Sequence, residues 1–395
     1  MANHPIDADI RLADGDFYST DPHKHFAWMR RHAPLYWDEK GSVWGVTRYD
    51  DVMQISKDSE TFCNRHGMRP DSPPMPSMIN LDDPDHKRRR ALVNKGFTAN
   101  RVRAHEPKVR EICVDLIERA AAKGRFDFVR DIAAPLPMIM IGDMLGVEPQ
   151  DRDDLLRWSD DLILGATMTA PMEYIMAAQR AFEEYGAYHR KVVADRRAQP
   201  RDDLMSVLVH ANIDGDTLSD DALLHESLLI LVGGDETTRH VISGGMYQLL
   251  LHPDQMHKLA ADPARVPTAV EEMLRWVTPI QNMARTATRD VELHGQTIRE
   301  GDKVLLLYPS ANRDEDVFAD PFRFDIERQP NEHLAFGGYG AHFCLGASLA
   351  RLELRMMFEE IARRLPRLRL VHDEPPPLRP SNFIVGIEEM PVSVD

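Results

Sequence analysis

The chain has 395 residues, of which 43% are hydrophobic and 28% are charged, a composition typical of a folded protein with a large core. Its formal net charge of −16 argues against nucleic acid as the main partner, because phosphate binding needs a basic surface. The three cysteines are too few for a disulfide framework and suit a reducing compartment, which predicts a cytoplasmic protein. The N-terminal stretch has no apolar signal segment, and no run of apolar residues reaches the length of a membrane span.

Hydrophobic residues recur at helical spacing through most of the chain, with charged residues on the opposite faces. Strand-like patterns are few and short. The spacing therefore predicts one mainly α-helical domain with a small β portion over residues 1–395. The predicted helices are 101–122, 172–197, 219–252, 267–276 and 347–365, and the predicted strand regions are 43–48 and 291–307.

A basic run occurs early in the chain, where residues 83–90 read DPDHKRRR. His86 and Arg90 are one helical turn apart, so they share a helix face. The basic residues between them, 87–89, point elsewhere around the same helix. Taken alone, such a run is most often a solvated helix face.

The segment 219–252 predicts an unusually long helix, about 50 Å at 1.5 Å per residue. Ser219 can cap its N-terminus, and Pro253 ends it. Its middle reads GGDETT over residues 233–238, and two adjacent glycines cost roughly 1–2 kcal/mol in a helix interior. We therefore expect close backbone approach or a local opening there, with threonine hydroxyls bonding back to carbonyls. A featureless kink is the alternative.

The same segment places an acid beside an alcohol, at Glu236 and Thr237. An ionisable group can pass protons and a hydroxyl can hold a water in place, so the pair suits a proton relay. The alternative for Glu236 is a salt bridge to Arg239 or His240, which lie one turn further along the helix.

Residues 336–346 read FGGYGAHFCLG and are the most informative stretch of the chain. Cys344 follows a glycine-rich, aromatic loop and directly precedes the predicted helix 347–365. Backbone N–H groups at a helix start stabilise a thiolate, and glycines let a backbone lie flat against a large planar ligand. The alternative is a glycine-rich turn with a buried free cysteine.

This stretch resembles the haem-binding loop of the cytochrome P-450 family, the haem-thiolate monooxygenases, whose pattern is F-G-x-G-x-H-x-C-x-G. Counted back from Cys344, the histidine and both glycines fit, whereas Phe336 lies one position too far upstream because a glycine is inserted. The resemblance implies the fold of that family, with haem b buried between the central long helix and the cysteine loop, and Cys344 as the iron ligand. The other haem contacts that it implies are His86, Arg90, Arg285, Phe336, Gly337, Gly338, Gly340, His342 and Gly346.

The resemblance also implies roles for two further groups of residues. In the family, an acid–alcohol pair on the central helix delivers protons during oxygen activation, and Glu236 and Thr237 match that pair. Glu272 and Arg275 match the E-x-x-R motif of the family, a network that holds the cysteine loop in place. By the same resemblance, Arg323 completes this network.

Electrons are expected to come from separate proteins, because no G-x-G-x-x-G follows a predicted strand and the chain therefore lacks a flavin or nicotinamide domain. The bacterial type of the family uses a ferredoxin and a ferredoxin reductase. Residues 87–89 would then form a basic patch that steers an acidic ferredoxin to this otherwise acidic protein.

The segments that line the distal pocket in the family are largely apolar in this chain. An apolar cavity with few polar anchors suits a lipid or a steroid. For each residue the alternative is an ordinary place in the core. The implied pocket residues are Met75, Met78, Ile79, Val232, Ile280, Phe383 and Ile384.

Three longer stretches, 12–18, 125–147 and 233–240, are similar to actinobacterial enzymes that hydroxylate the terminal methyl of the cholesterol side chain. The resemblance therefore predicts a monooxygenase acting on cholesterol or cholest-4-en-3-one, with fatty acids, terpenes or macrolides as alternative substrates. A peroxygenase is a different class, but such enzymes have arginine and proline in place of Glu236 and Thr237. A haem-binding sensor or carrier is also open, although it would gain nothing from a proton relay.

Overall fold

The computed structural model describes residues 3–165 and 171–394, which form a mainly helical structure with a small β portion, as predicted. The helices are α1 Gly15–Ser19, α2 His23–His32, α3 Tyr49–Lys57, α4 Asp85–Asn94, α5 Ala99–Ala104, α6 Glu106–Ala121, α7 Pro135–Leu145, α8 Arg152–Leu164, α9 Met172–Ala198, α10 Leu204–Val209, α11 Asp220–Leu251, α12 Pro253–Ala261, α13 Val266–Val277, α14 Tyr308–Ala311 and α15 Ala347–Arg364. The strands are β1 Leu35–Asp38, β2 Val43–Val46, β3 Phe62–Cys63, β4 Arg125–Asp127, β5 Asn282–Ala287, β6 Val291–Leu293, β7 Gln296–Ile298, β8 Lys303–Leu307, β9 Arg369–Leu370 and β10 Pro391–Ser393.

The largest sheet has the strand order β1-β2-β8-β5-β3, in which β2 and β8 run parallel and the other pairs are antiparallel. The strands β4, β10 and β9 form a second sheet, and β6 and β7 form a hairpin. The sequence predicted β2 and the β6–β8 region but missed the others. Strands of two to six residues are too short for an alternating pattern to stand out from the helical background.

Helix α11 crosses the middle of the structure and packs against α7, α13 and α15. The Ser219 hydroxyl caps it by accepting the Ala222 N–H at 3.2 Å. Its buried apolar residues belong to one large hydrophobic cluster, while two smaller clusters cover the main sheet. That large cluster also contains residues of α15, the helix that follows the cysteine loop, so α11 packs in the same core as this helix.

The two glycines of α11 do not break the helix. At Gly234 a Cβ would overlap the side chain of Ile141 in α7, so the glycine permits the close approach of two helices. The Thr237 hydroxyl donates back to the Gly233 carbonyl at 2.9 Å, as predicted. Close backbone approach, one of the two expected reasons for the glycines, is thus found at Gly234.

Two glycines of the cysteine loop, Gly338 and Gly340, have a different role from the one predicted. At Gly340 a Cβ would overlap the carbonyl oxygen of Ser56, and at Gly338 it would overlap the Ser56 hydroxyl. Both glycines therefore let the loop dock on α3 rather than lie against a planar ligand. Gly337 has φ 96°, a conformation that favours glycine, and Phe336 accepts the Cys344 N–H at 3.0 Å.

A membrane span would need a long apolar helix, and the described ranges 3–165 and 171–394 contain none.

The docking of the loop on α3 can be tested with Gly340→Ala. The added methyl group meets backbone rather than a flexible side chain, so we expect the free energy of unfolding to fall by at least about 1–3 kcal/mol. Urea unfolding followed by circular dichroism measures this loss. Gly186→Ala in α9 is the matched control, because its nearest neighbour would be 3.5 Å away, and an unchanged or higher stability is expected there. Equal stabilities of the two variants would contradict the docking.

Candidate active site

A cavity of about 1650 Å³, its opening included, lies between α11, α15, the cysteine loop, α4 and β5. The structure brings most of the predicted site residues to its wall. Those that line it are Met78, Ile79, His86, Arg90, Val232, Thr237, Ile280, Arg285, Phe336, Gly337, His342, Cys344, Gly346, Phe383 and Ile384.

The Cys344 thiol is accessible from this cavity, whereas Cys63 and Cys113 are buried in the core. Burial raises the pKa of the Cys344 thiol, and the N–H groups of Gly346 and Ala347 and the charge of Arg90 act in the opposite direction. Ala347 is the first residue of α15, so these donors belong to a helix N-terminus, as predicted. A thiol with such donors around it is chemically suited to bind a metal ion as a thiolate.

Four residues that can carry positive charge lie together on another part of the wall: His86, Arg90, Arg285 and His342. The imidazole rings of His86 and His342 lie 4.0 Å apart between centroids. Burial, together with the charges of His86, Arg285 and Arg90, lowers the pKa of His342 to about 2. The histidines are therefore neutral donors at neutral pH, and the two arginines supply the charge.

This wall lacks its own anions. Within residues 3–165 and 171–394, no carboxylate forms an ion pair with Arg90 or Arg285, although Arg285 is buried. The buried Nε2 of His86 has no hydrogen-bond partner in the same part of the chain. The buried Arg285 and the half-buried Arg90 donate to backbone carbonyls rather than to carboxylates, and with the unpartnered imidazole nitrogen they suit an anionic ligand. The two propionates of a haem, with iron at Cys344, fit this donor set.

The predicted proton relay is divided between the wall and the interior. Thr237 lines the cavity, whereas Glu236 is fully buried behind it. The carboxylate of Glu236 pairs with Arg239 and lies 3.0 Å from both His240 Nε2 and the Arg379 guanidinium. The salt bridges considered as an alternative therefore exist, with Arg379 as a partner that the sequence did not predict.

Arg379 belongs to the C-terminal segment 378–387, which folds over α11. Its backbone N–H donates to the Gly386 carbonyl at 3.0 Å. Gly386 in turn allows close contact, because a Cβ there would overlap the ring of His240. The segment that lines the cavity with Phe383 and Ile384 thus also holds the acid of the predicted relay.

The network around Glu272 and Arg275 exists, but its third member is Arg328. Glu272 receives two hydrogen bonds of 2.8 Å from Arg275, and Arg328 Nε lies 3.1 Å from the same carboxylate. The Arg323 side chain, predicted to complete the network, is exposed, and only its carbonyl accepts from Arg275 and Arg328. The chain turns at Asp320, where φ is 46°, and this turn brings the later arginine back to the carboxylate.

Two further predictions about side-chain direction were wrong. Met75 is 40% exposed and does not line the cavity, which this segment of the chain reaches again at Met78 after leaving it at Met68. Arg89 does not point to the surface with Lys87 and Arg88. Its guanidinium instead lies 3.1 Å from Glu226, a fully buried residue of α11.

Glu353 of α15 also lines the cavity and was missed by the sequence analysis. Burial, with Asp235 nearby, raises the pKa of the Glu353 carboxyl to about 8, so it is largely protonated at neutral pH. Helical spacing from the cysteine loop was the available signal, since Gly346, Leu349 and Glu353 follow one face of the helix.

Comparison with known proteins gives consistent results. A family model described as Cytochrome P450 matches residues 19–394. A Steroid C26-monooxygenase of Mycobacterium tuberculosis is 51% identical over 97% of this chain and 96% of its own. A Methyl-branched lipid omega-hydroxylase of Mycobacterium bovis is 39% identical over 98% and 95%. The crystal structure of CYP109E1 from Bacillus megaterium in complex with testosterone matches with a TM-score of 0.87 at 33% identity, covering 95% of this chain and 99% of that one.

The identity of the third network arginine can be tested by comparing Arg328→Gln with Arg323→Gln. Removing Arg328 takes a charged donor from a buried carboxylate, and we expect the free energy of unfolding to fall by about 2–3 kcal/mol. Arg323→Gln changes an exposed side chain and should stay within about 0.5 kcal/mol of the unmodified protein. Chemical denaturation of both variants measures the free energy of unfolding. A larger decrease for Arg323→Gln than for Arg328→Gln would make Arg323 the third member of the network.

Proposed function

The chain belongs to the cytochrome P450 family, and on that premise we propose that this monooxygenase hydroxylates the terminal methyl group of a sterol side chain. The observation that carries the proposal is a single cavity with the Cys344 thiol on one wall and mostly apolar side chains on the others. The 51% identity over nearly the whole chain to a protein named Steroid C26-monooxygenase supports the sterol as substrate and its terminal carbon as target.

Haem b is the proposed cofactor. When bound, it supplies the iron at which dioxygen is activated for insertion into an unactivated C–H bond. Cys344 would hold the iron as thiolate, and His86, Arg90, Arg285 and His342 would hold the propionates. The unpaired arginines and the orphaned His86 nitrogen support this assignment.

Thr237 and Glu236 are the proposed proton-handling residues. The Thr237 hydroxyl donates to the Gly233 carbonyl at 2.9 Å, which leaves its oxygen lone pairs free to hold a water or a proton donor at the cavity wall. Glu236, one residue earlier, would exchange protons with that hydroxyl and with the interior. Its partners Arg239 and Arg379 hold its carboxylate in place one residue from Thr237.

The rest of the wall suits a rigid, apolar molecule. Val232 on α11, Ile280 before β5, and Phe383 in the C-terminal segment contribute hydrocarbon surface. Such a wall would bind a sterol by burial of apolar area and would keep water away from the reacting carbon. The terminal methyl would then be the part of the side chain that reaches toward Cys344.

Electrons are proposed to come from a ferredoxin and its reductase. Lys87 and Arg88 are exposed on α4, the same helix that carries Arg90 of the cavity wall. An exposed basic pair on an acidic protein would favour an acidic donor protein by electrostatic steering.

The haem-thiolate assignment predicts a strongly red-shifted Soret band when the purified protein is reduced with dithionite and exposed to carbon monoxide. Titration with cholest-4-en-3-one should then change the spin state of the ferric protein, and turnover should give the terminal alcohol. Cys344→Ser is the control and should lack the red-shifted band. Testosterone, which has no side chain, should give no terminal alcohol. A clear preference for a methyl-branched fatty acid over the sterol would replace the proposed substrate.

The proton-handling assignment predicts that Thr237→Ala consumes reducing equivalents but releases most of them as hydrogen peroxide, with product formation reduced by about 10- to 100-fold. Thr237→Ser retains the hydroxyl and should restore coupling. The measurement is the ratio of peroxide to hydroxylated product for each variant. Tight coupling in Thr237→Ala would remove this residue from the mechanism.

A further inference from the structure

The fully buried carboxylate of Glu226, the partner of Arg89, links α11 to the wall of the cavity. Glu226 is 0% exposed, and its Oε1 accepts the backbone N–H of Met78 at 2.8 Å. The same oxygen accepts from Arg89 Nη1 of α4 at 3.1 Å. Its other oxygen, Oε2, is buried and has no hydrogen-bond partner in the part of the chain that the structure describes.

Such an arrangement is costly, since burial alone raises the pKa of the Glu226 carboxyl. The Met78 N–H and the Arg89 guanidinium oppose this effect and favour the ionised form. A buried ion pair contributes little net stability compared with apolar packing of the same volume, but losing one partner leaves an uncompensated charge. The pair therefore contributes more to fixing the position of the segment bound to it than to the stability of the fold.

The position that it specifies is that of the turn Met78–Asn80. Met78 and Ile79 of this turn line the cavity, and the proline-rich loop 70–76 precedes it. On its other side the turn is held by hydrogen bonds of Asn64 and Asn80, which join it to the neighbouring loop. Glu226 is the connection between the turn and α11, the helix that forms the opposite part of the cavity wall.

The same two helices reach the cavity directly. Leu229 and Ile230 line it one turn after Glu226 on α11, and Arg90 lines it one residue after Arg89 on α4. The Glu226–Arg89 pair thus lies where α4, α11 and the turn meet. A shift of any one of them changes the distance between Met78 and the facing apolar side chains.

We propose that Glu226 is a positioning residue for the substrate, which acts by fixing Met78 and Ile79 against the cavity, with Arg89 holding its carboxylate in place. This inference rests on the proposed function in one respect: the ligand whose fit is set is a sterol side chain. With the turn fixed, the side chain has one path, and its terminal methyl is the carbon presented for reaction. With the turn free, the sterol binds more weakly, and neighbouring carbons become accessible.

The decisive variant is Arg89→Gln, compared with Arg88→Gln. Both remove one positive charge from adjacent positions of α4, but Arg88 is exposed and pairs with Asp85 and Asp216 on the surface. Hydrogen–deuterium exchange of the sterol-free protein should show at least a tenfold faster exchange of the Met78 amide in Arg89→Gln. The Kd for cholest-4-en-3-one should rise about tenfold, and KM should rise while kcat changes less than twofold. Arg88→Gln should leave both the exchange and the Kd unchanged.

Two further variants keep the result interpretable. Arg89→Lys retains a cation and should recover most of the protection of the Met78 amide. Such a recovery would show that the charge matters, and not only the packing of the arginine side chain on the helix. Glu226→Gln keeps the size of the side chain, weakens the link to Arg89, and should raise the proportion of product hydroxylated away from the terminal methyl.

Unchanged protection of the Met78 amide in Arg89→Gln, with the carbon monoxide spectrum intact, would overturn the proposal. Equal acceleration of the Met78 amide exchange in Arg89→Gln and Arg88→Gln would also overturn it. The exchange measurement needs neither sterol nor turnover. If the protein failed to oxidise sterols, that result would refute the proposed function and leave the exchange result to decide the role of Glu226.

Discussion

One fully buried ion pair, between Glu272 and Arg275 of α13, organises the side of the protein that carries the cysteine. Both side chains are 0% exposed, and removing two such charges from water costs several kcal/mol per ion. The pair persists because its remaining hydrogen-bonding capacity is used as well. The additional partners are Arg328, Asn331 and the Asp325 N–H on Glu272, and the Asn312 and Pro321 carbonyls on Arg275. Asn312 then accepts the N–H of Leu334 at 2.6 Å, where the cysteine loop begins, so the position of the thiol depends on this pair.

The sequence predicted well what local spacing determines. Glu272 and Arg275 are three residues apart on a helix, so their pairing follows from helix geometry alone. The start of α15 directly after the cysteine loop, and the bond from Thr237 to the Gly233 carbonyl, are equally local. The haem-binding motifs are runs of this kind, which is why the family could be recognised and why most of the predicted site residues line the cavity. That residues 1–395 form a single domain stays a prediction.

The errors concern side chains whose direction depends on contacts distant in sequence. Arg323 and Arg328 flank a turn, and only the folded chain shows that the second returns to the carboxylate. Arg89 is drawn inward by Glu226, which lies 137 residues further along the chain. The glycines at 338 and 340 are needed because of Ser56 on another helix, a reason that no pattern within the loop contains. Propensity and periodicity describe neighbours along one helix or strand, whereas the positions of these residues are determined by contacts with parts of the chain that are distant in sequence.

At and behind the wall that Thr237 lines, three buried carboxyl groups have different surroundings. Burial raises the pKa of Asp235 to about 6, and that of Glu353 to about 8 with Asp235 nearby, so part of this acidic group holds protons at neutral pH. Glu236 differs because arginines pair with it, and one of them, Arg379, comes from the C-terminal segment that also supplies Phe383 to the cavity. The C-terminal segment therefore supplies both an apolar contact to the cavity, through Phe383, and a charged partner to Glu236, through Arg379. The remaining partners of Glu236, Arg239 and His240, belong to its own helix, so the surroundings of this acid combine local helix geometry with a contact distant in sequence.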